Sequence, residues 1–392
     1  MGVGHGHPHD AEDRLRVVGP PRLVVLALIA ACGLAAVLGV LHWWPDGRQV
    51  QQVQGRLPVV AGGVAVVPAE LVRVRAACSG DGDGGGCGDS AARLLQGDRA
   101  GRTVAVPLTP DVIATGLRAR DRVLLFDLSR TGGGYAFSRA DRGAPLLWLA
   151  VLFAIVVVLV VRLRGAMALL SLAFAAAVVV AFLVPALLTG RPPVPVTVAA
   201  AVLILIVILY ATHGPSLRTS VALLGALTGV GLSVGFAWLG VLSTRLGGLG
   251  DDAAALLEQH AGRVDVQQLV IASVVIAGLG TLNDITVTQA SAVWELRGAS
   301  PGMSGRELFR RAMRIGRDHV ASSVYTLVFA YLGTALVLIV AVQLYRGSLV
   351  DFTTAEDVAL EVVRTLVGGL ALVLAMPVTT AIAVAVARGA RD

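Results

Sequence analysis

The sequence predicts an α-helical polytopic membrane protein of about eight transmembrane helices, with a small extracytoplasmic all-β domain of OB-like type between the first and second helices. Composition is the first ground: of 392 residues, 56% are hydrophobic and 15% charged, against roughly 45–50% apolar and about 25% charged in soluble domains. Mean hydropathy is +0.77. The second ground is the gathering of apolar residues into eight runs near the ~20 residues that cross a hydrocarbon core. The third is the one long polar stretch between the first two runs, which carries short β-branched alternations broken by Gly, Pro and Asp.

Charge narrows the function. The formal net charge is +6 and all 32 residues of the Lys+Arg count are arginine, which excludes a Walker lysine, a Schiff-base lysine and any self-contained chemistry built on them. HExxH-type spacings are absent as well, so neither enzyme activity nor a cofactor is expected. Arginine excess in a polytopic chain is a topology signal rather than a nucleic-acid footprint. The expected partners are the lipid bilayer, a small ion or solute, and an envelope or cytoplasmic protein, with no nucleic acid.

Residues 1–21 read as a disordered cytoplasmic tail, with His5, His7 and His9 at alternate positions. Residues 22–44 form a first span, too long for a signal-peptide core and without a small-residue cleavage pattern, hence retained. Residues 45–144 form the β domain, with strands expected at Val64 to Val74, Arg102 to Leu108 and Arg122 to Leu128. It lacks the aromatic platforms on which bases stack, and so reads as a cap or partner-binding module. Cys32 lies in the first apolar run. Cys78 and Cys87, in a Gly/Asp-rich loop, either pair in a disulfide or stand as free thiols.

Residues 145–388 form a seven-helix bundle. Its runs are Pro145 to Val161, Ala166 to Leu188, Val194 to Ala211, Val221 to Ser243, Val266 to Leu296, His319 to Leu344 and Leu366 to Ala387. Gly225 and Gly229 offer small-residue spacing for close helix approach. Pro377, with Thr379 and Thr380, suggests a kink whose freed carbonyls the threonines partly satisfy. A basic cytoplasmic loop, 297–318, carries Arg306, Arg310, Arg311, Arg314 and Arg317, and its Glu307 to Arg317 stretch suits an amphipathic helix on an anionic leaflet or a contact surface for a partner. The arginine distribution places both termini in the cytoplasm and the β domain outside. Glu361 and Arg364 fall in an outer loop on this reading.

The candidate site is one stretch of the fifth bundle run. Asp284, Thr288, Ser291 and Glu295 follow i, i+4, i+7, i+11 and so share one helix face, with Asn283, Thr286 and Gln289 on a neighbouring stripe. At 1.5 Å per residue Asp284 lies roughly 20 Å from Arg297, within the membrane, where charge is costly and marks ion or proton pathways. Glu295, beside Trp294, reads as interfacial. Carboxylate, hydroxyl and carboxamide groups suit protons or hard cations rather than soft metals; the metal itself stays unassigned. The next run opens on His319, Ser322, Ser323 and Thr326, a second polar face able to meet the first, and His319 could relay protons with a carboxylate or serve as a solvated boundary histidine. Thr281 and Thr286 read as helix glue.

The stretch Leu279-Gly280-Thr281-Leu282-Asn283-Asp284-Ile285-Thr286-Val287-Thr288-Gln289, continued through Trp294-Glu295-Leu296, resembles the YibE/F-like family of bacterial multi-pass membrane proteins. So do Arg162-Leu163-Arg164-Gly165 and Pro185-Ala186-Leu187-Leu188-Thr189-Gly190, and the layout of one span, a β domain and a bundle. The lysine-free, Arg-, Gly-, Ala- and Val-rich composition is similar to actinobacterial members. The resemblance implies a transporter-like membrane protein. Residues and resemblance together favour a secondary transporter or permease with Asp284 as its intramembrane carboxylate, supported by Asn283, Thr288 and Gln289. The competing reading is a non-transporting sensor or envelope assembly factor whose β domain binds an outer partner.

Overall fold

The computed structural model describes residues 20–56, 65–75, 89–97, 99–129, 132–247, 265–344, 354 and 356–388. The N-terminal tail with its three histidines, and Cys78 and Cys87, lie outside the described residues. The chain divides into two compact units, Gly55–Arg162 and a second built from Met1–Gln54 and Leu163–Asp392.

In the first unit, five antiparallel strands make one sheet in the order β3-β2-β1-β4-β5: β1 Ala65–Arg73, β2 Ser90–Leu94, β3 Thr103–Val106, β4 Arg122–Asp127 and β5 Tyr135–Ala140. Alternation sets its inner face. Ala69 and Leu71 of β1, Ala92 and Leu94 of β2, and Val123 and Leu125 of β4 are buried at every second position, as a period of two requires. The sheet curls so that its edges β3 and β5 approach each other. A short helix, α3 (Pro110–Ala114), connects β3 to β4 and packs Val112 and Ile113 on this core. The β2–β3 turn needs left-handed backbone at Gly97 and Gly101, with φ of 92° and 82°, which glycine adopts without a Cβ penalty. Three strands fall where alternation predicts them; β2 and β5 were not anticipated. The unit ends in α4 (Gly143–Val161), none of whose residues is buried.

The second unit holds α1 (Pro20–His42), the short polar α2 (Gly47–Arg56), and the bundle α5 (Leu163–Val178), α6 (Val184–Leu188), α7 (Pro193–His213), α8 (Leu217–Thr244), α9 (Val266–Ala299), α10 (Gly305–Leu344) and α11 (Glu356–Ala387). A π-helical turn, Val179–Leu183, joins α5 to α6. It precedes Pro185, whose ring and missing N–H disturb the α ladder at residue 181. Seven of the described helical stretches are long and apolar enough to cross a membrane: residues 20–42, 143–161, 163–188, 193–213, 217–244, 266–299 and 358–387. The run expected as an eighth span, His319 to Leu344, is the C-terminal part of α10.

Helices α8, α9 and α11 pack on one another as the centre, α7 and α1 line one flank, and α10 rests on α9 and α11. Small residues set these distances. A Cβ on Gly225 would collide with Thr379 of α11, and one on Gly229 with Leu282 of α9. Gly231 and Gly235 have no atom within 4 Å of that position. Helix α11 runs through Pro377 without a break. Thr379 and Thr380 donate to the carbonyls of Ala375 and Met376, not to that of Val373, which the proline leaves free, so the threonines do not fill the role the sequence suggested. Of the basic segment 297–318, Arg297 lies in the last turn of α9 and residues 305–318 are the first turns of α10, so the Glu307 to Arg317 stretch is helical as expected. Its Leu308 and Ala312 are fully buried against the bundle rather than turned to a lipid leaflet.

Replacing Gly225 with Ala should destabilise the detergent-solubilised protein by about 1–3 kcal/mol, the usual cost of overpacking, while Gly231→Ala leaves it unchanged. Thermal unfolding of the two variants side by side checks this.

Candidate functional site

Helix α9 begins with Asp265, whose carboxylate accepts the Gln268 N–H at 3.0 Å. It ends where buried Arg297 donates to the carbonyls of Pro301 and Met303, at 2.8 and 2.9 Å. Those bonds fix the turn that sends α10 back along α9. The antiparallel return brings residue 319 level with residue 284. There His319 Nε2 lies 3.0 Å from Asp284 Oδ2, an inter-helical pair between the two stretches that the sequence marked as polar.

The pair is not sealed. The Asp284 side chain is 60% and that of His319 34% exposed, and Gly280, one turn from Asp284, has open space where a side chain would stand. The surface changes character at this level. Beyond the pair, α10 exposes Tyr325, Phe329, Leu332, Leu336 and Val337; before it, Arg310 and Arg311 stand out from the same helix, with Ile315 the apolar exception. Measured along α9, Asp284 remains about 20 Å from Arg297, but α10 carries basic residues to within two positions of His319.

The remaining candidates separate. Gln289 is fully buried where α9, α10 and α11 meet. Thr380 Oγ1 lies 2.8 Å from its Oε1, and its Nε2 fills the space left by Gly316 of α10, beside Met376. One hydroxyl proton cannot serve both Gln289 and the Met376 carbonyl that Thr380 also contacts. Turning the carboxamide over lets its NH2 donate to Thr380 and leaves the hydroxyl proton for Met376. Asn283 has a buried Oδ1 with no hydrogen-bond partner. Thr288 and Ser291 are half-buried on the Asp284 stripe, Glu295 is exposed near the helix end, and Ser322 is exposed on α10. Thr281 and Thr286 donate to carbonyls of their own helix and not to a neighbouring one. Among the described residues no three His, Cys, Asp or Glu side chains converge as a metal site.

A polar group that sequence reasoning placed in a loop belongs to the bundle. Glu361 and Arg364 lie inside α11, paired with each other, and Arg364 Nη2 donates to Ser273 Oγ of α9 at 3.1 Å. Their i, i+3 spacing was the available signal. Two charges one turn apart at the edge of an apolar run are equally the mark of a helix neutralising its own charge.

Long apolar helices, with a carboxylate–imidazole contact held between two helices of the bundle, define a multi-pass membrane protein. The model of the YibE/F-like protein family matches residues 149–389, most of the chain, from α4 to the end of the bundle. The chain belongs to that family. No curated protein and no solved structure gives a significant match to it.

Two outcomes follow from the α10 contacts. Gly316→Ala should displace Gln289 and Met376 and lower stability by about 1–3 kcal/mol, read as thermal unfolding in detergent. Glu307 accepts from Arg311 Nε at 2.7 Å and also pairs with Arg310. The Arg311 hydrogen bond is the largest cause holding the Glu307 carboxyl below the usual glutamate range. A depressed carboxyl stabilises the folded state above the unfolded group's pKa, and that contribution disappears as pH falls through the folded value. Arg311→Gln should therefore raise the Glu307 pKa, measured by NMR titration.

Proposed function

We propose that the chain is a secondary transporter or permease for a small ion or solute, with Asp284 and His319 as its intramembrane working pair. The observation that carries this reading is the 3.0 Å contact between them, made across two helices inside the segment that the family model matches. A carboxylate is expensive in a bilayer unless it is paired or reaches water, and this one is both paired and exposed. Protonating Asp284 removes the charge that holds His319, so α9 and α10 can separate; deprotonation restores the bond. One proton thereby gates the contact between an inner helix and a peripheral one. Asn283, Thr288 and Gln289 are the supporting polar groups on α9.

We place both termini in the cytoplasm and the chain in the bacterial plasma membrane. Arg388, after α11, packs over Gly305 at the start of α10, so the arginine-bearing helix ends gather at one end of the bundle, as the positive-inside rule requires. The sheet then lies outside. Its order, its approaching edges and the helix between β3 and β4 support reading it as an OB-type barrel, and we assign it to an envelope partner rather than to nucleic acid.

The test is flux into proteoliposomes across a panel of cations and small solutes under imposed pH and potential gradients. Asp284→Asn is expected to lower flux by roughly a hundredfold, the scale on which a positioned proton-transfer group acts, and His319→Gln to impair it as well. Flux that survives Asp284→Asn removes that residue from the mechanism. Folded wild-type protein that carries nothing under any gradient assigns the chain instead to sensing or envelope assembly.

A further inference from the structure

The face of α9 that bears Asp284 continues toward the other end of the helix. Eleven residues earlier, about 16 Å along the axis, it presents Ser273, which Arg364 of α11 reaches. Arg364 is paired with Glu361, and their side chains are only 19% and 25% exposed. Two atoms of this pair, Arg364 Nε and Glu361 Oε2, are buried with no hydrogen-bond partner among the described residues. A half-buried ion pair with hydrogen-bonding capacity left over is a costly feature that packing alone does not explain. Tyr331 of α10 lies within electrostatic reach of both charges.

Between this cluster and the Asp284–His319 pair, the groups alternate in kind. Helix α10 offers Ser323 and Thr326, α9 leaves the open position at Gly280, and then Leu327, 5% exposed, closes on Gly368 of α11. Leu327 stands one turn from Tyr331 and two turns from His319, while Gly368 stands one turn from Arg364. The Leu327 contact on Gly368 is thus an apolar step between the Glu361–Arg364 pair and the Asp284–His319 pair.

We propose that Glu361, held by Arg364 with Ser273 and Tyr331 around it, is a second proton-exchange station on the seam, and that the ion coupled to transport is the proton. This rests on the transporter reading above. Water at the end away from the arginine-rich turns gives one proton to the Glu361 carboxylate, which becomes a neutral acid and lets go of Arg364. The same proton leaves when the Glu361–Arg364 pair re-forms. It crosses the Leu327 contact when that contact opens, by way of water and the Ser323 and Thr326 hydroxyls, and reaches Asp284. Its release toward the basic end restores the bond to His319. One proton enters, one leaves, and no bond between heavy atoms changes. Around the pair stand Arg364 on the same helix as Glu361, Tyr331 from α10 within electrostatic reach of both and Ser273 from α9, bonded to Arg364; from α8, Gly240 meets Val363, and Arg245 lies just beyond that helix's C-terminus.

The experiment uses full-length protein in two arms. In liposomes with an entrapped pH indicator and an imposed potential, proton entry is compared for wild type, Glu361→Gln and Asp284→Asn. In detergent, infrared difference spectra on a pH step read the carboxyl groups that take up protons. The expected result is loss of proton entry in Glu361→Gln together with loss of one carboxyl band that Asp284→Asn retains. If Glu361→Gln does not fold because Arg364 is left unpaired, the double variant with Arg364→Gln takes its place and is read in the same way. Asp284-dependent flux that is unchanged in the Glu361 variant overturns the station and leaves the transporter reading intact. A Glu361-dependent band without flux of any ion supports the station and overturns transport. A spectrum in which no band depends on Glu361 overturns the station.

Discussion

Everything else in the bundle depends on the close approach of α8, α9 and α11. Lipid tails are as apolar as leucine, so helices in a bilayer gain little from hiding apolar surface and hold together through packing and polar contacts. Gly225 and Gly229 on one face of α8 admit Thr379 from α11 and Leu282 from α9, and all three helices bury long stretches of Ala and Val against one another. With α9 and α11 fixed in this way, α10 is positioned by two further absences of a side chain. Gly316 gives way to Gln289 and Met376, and Gly305 to Arg388. The register that results is what sets His319 opposite Asp284.

Hydroxyl groups in the bundle mostly serve their own helices. Thr228, Thr281, Thr286, Thr365 and Thr379 each donate to a carbonyl three or four residues back, a local solution that costs nothing in specificity. Other polar contacts cross from one helix to another, among them Tyr210 with Ser220, Thr380 with Gln289, Arg364 with Ser273 and His319 with Asp284. The first two join neutral groups and lock packing. The last two involve charge, share α9, and lie on the same stripe of it. Charge is the expensive element in a membrane, so a chain that uses it twice on one helical face has a reason beyond cohesion.

The spans and much of the sheet were legible because each follows from one periodicity. A run of apolar residues long enough to cross a bilayer has no other stable home, and β1, β3 and β4 announce themselves by alternation. Strand β2, Ser-Ala-Ala-Arg-Leu, does not: two alanines and an arginine carry no β preference, and it forms because β1 and β3 flank it. Strand β5 is marked by Tyr135 and Phe137 but follows a Gly-rich turn that masks its start. The Asp284 stripe could be read from i, i+4 spacing, and its meeting with the His319 face could be anticipated but not fixed, because register depends on the Arg297 turn and the Gly316 contact, both outside the pattern itself. Glu361 and Arg364 were misplaced for a different reason. Hydropathy treats two adjacent charges as the end of a span, whereas an acid and a base one turn apart cancel and can be carried inside.

That cancellation sets the energetic terms of the seam. Moving one unpaired ion into a low-dielectric interior costs several kcal/mol even after relaxation, and Asp284 on α9 and Glu361 on α11 each have a basic side chain beside them, His319 and Arg364. The two pairs differ in how they are held. Glu361 and Arg364 belong to one helix and keep their separation whatever α11 does; Asp284 and His319 belong to two, and their bond exists only while α10 lies against α9. A change of protonation at Glu361 loosens a pair within one helix and leaves the packing of α11 on its neighbours unchanged. The same change at Asp284 releases a peripheral helix, whose outer face is arginine on one side of the pair and apolar on the other. Of the two charged pairs, only the inter-helical one can turn a proton into a movement.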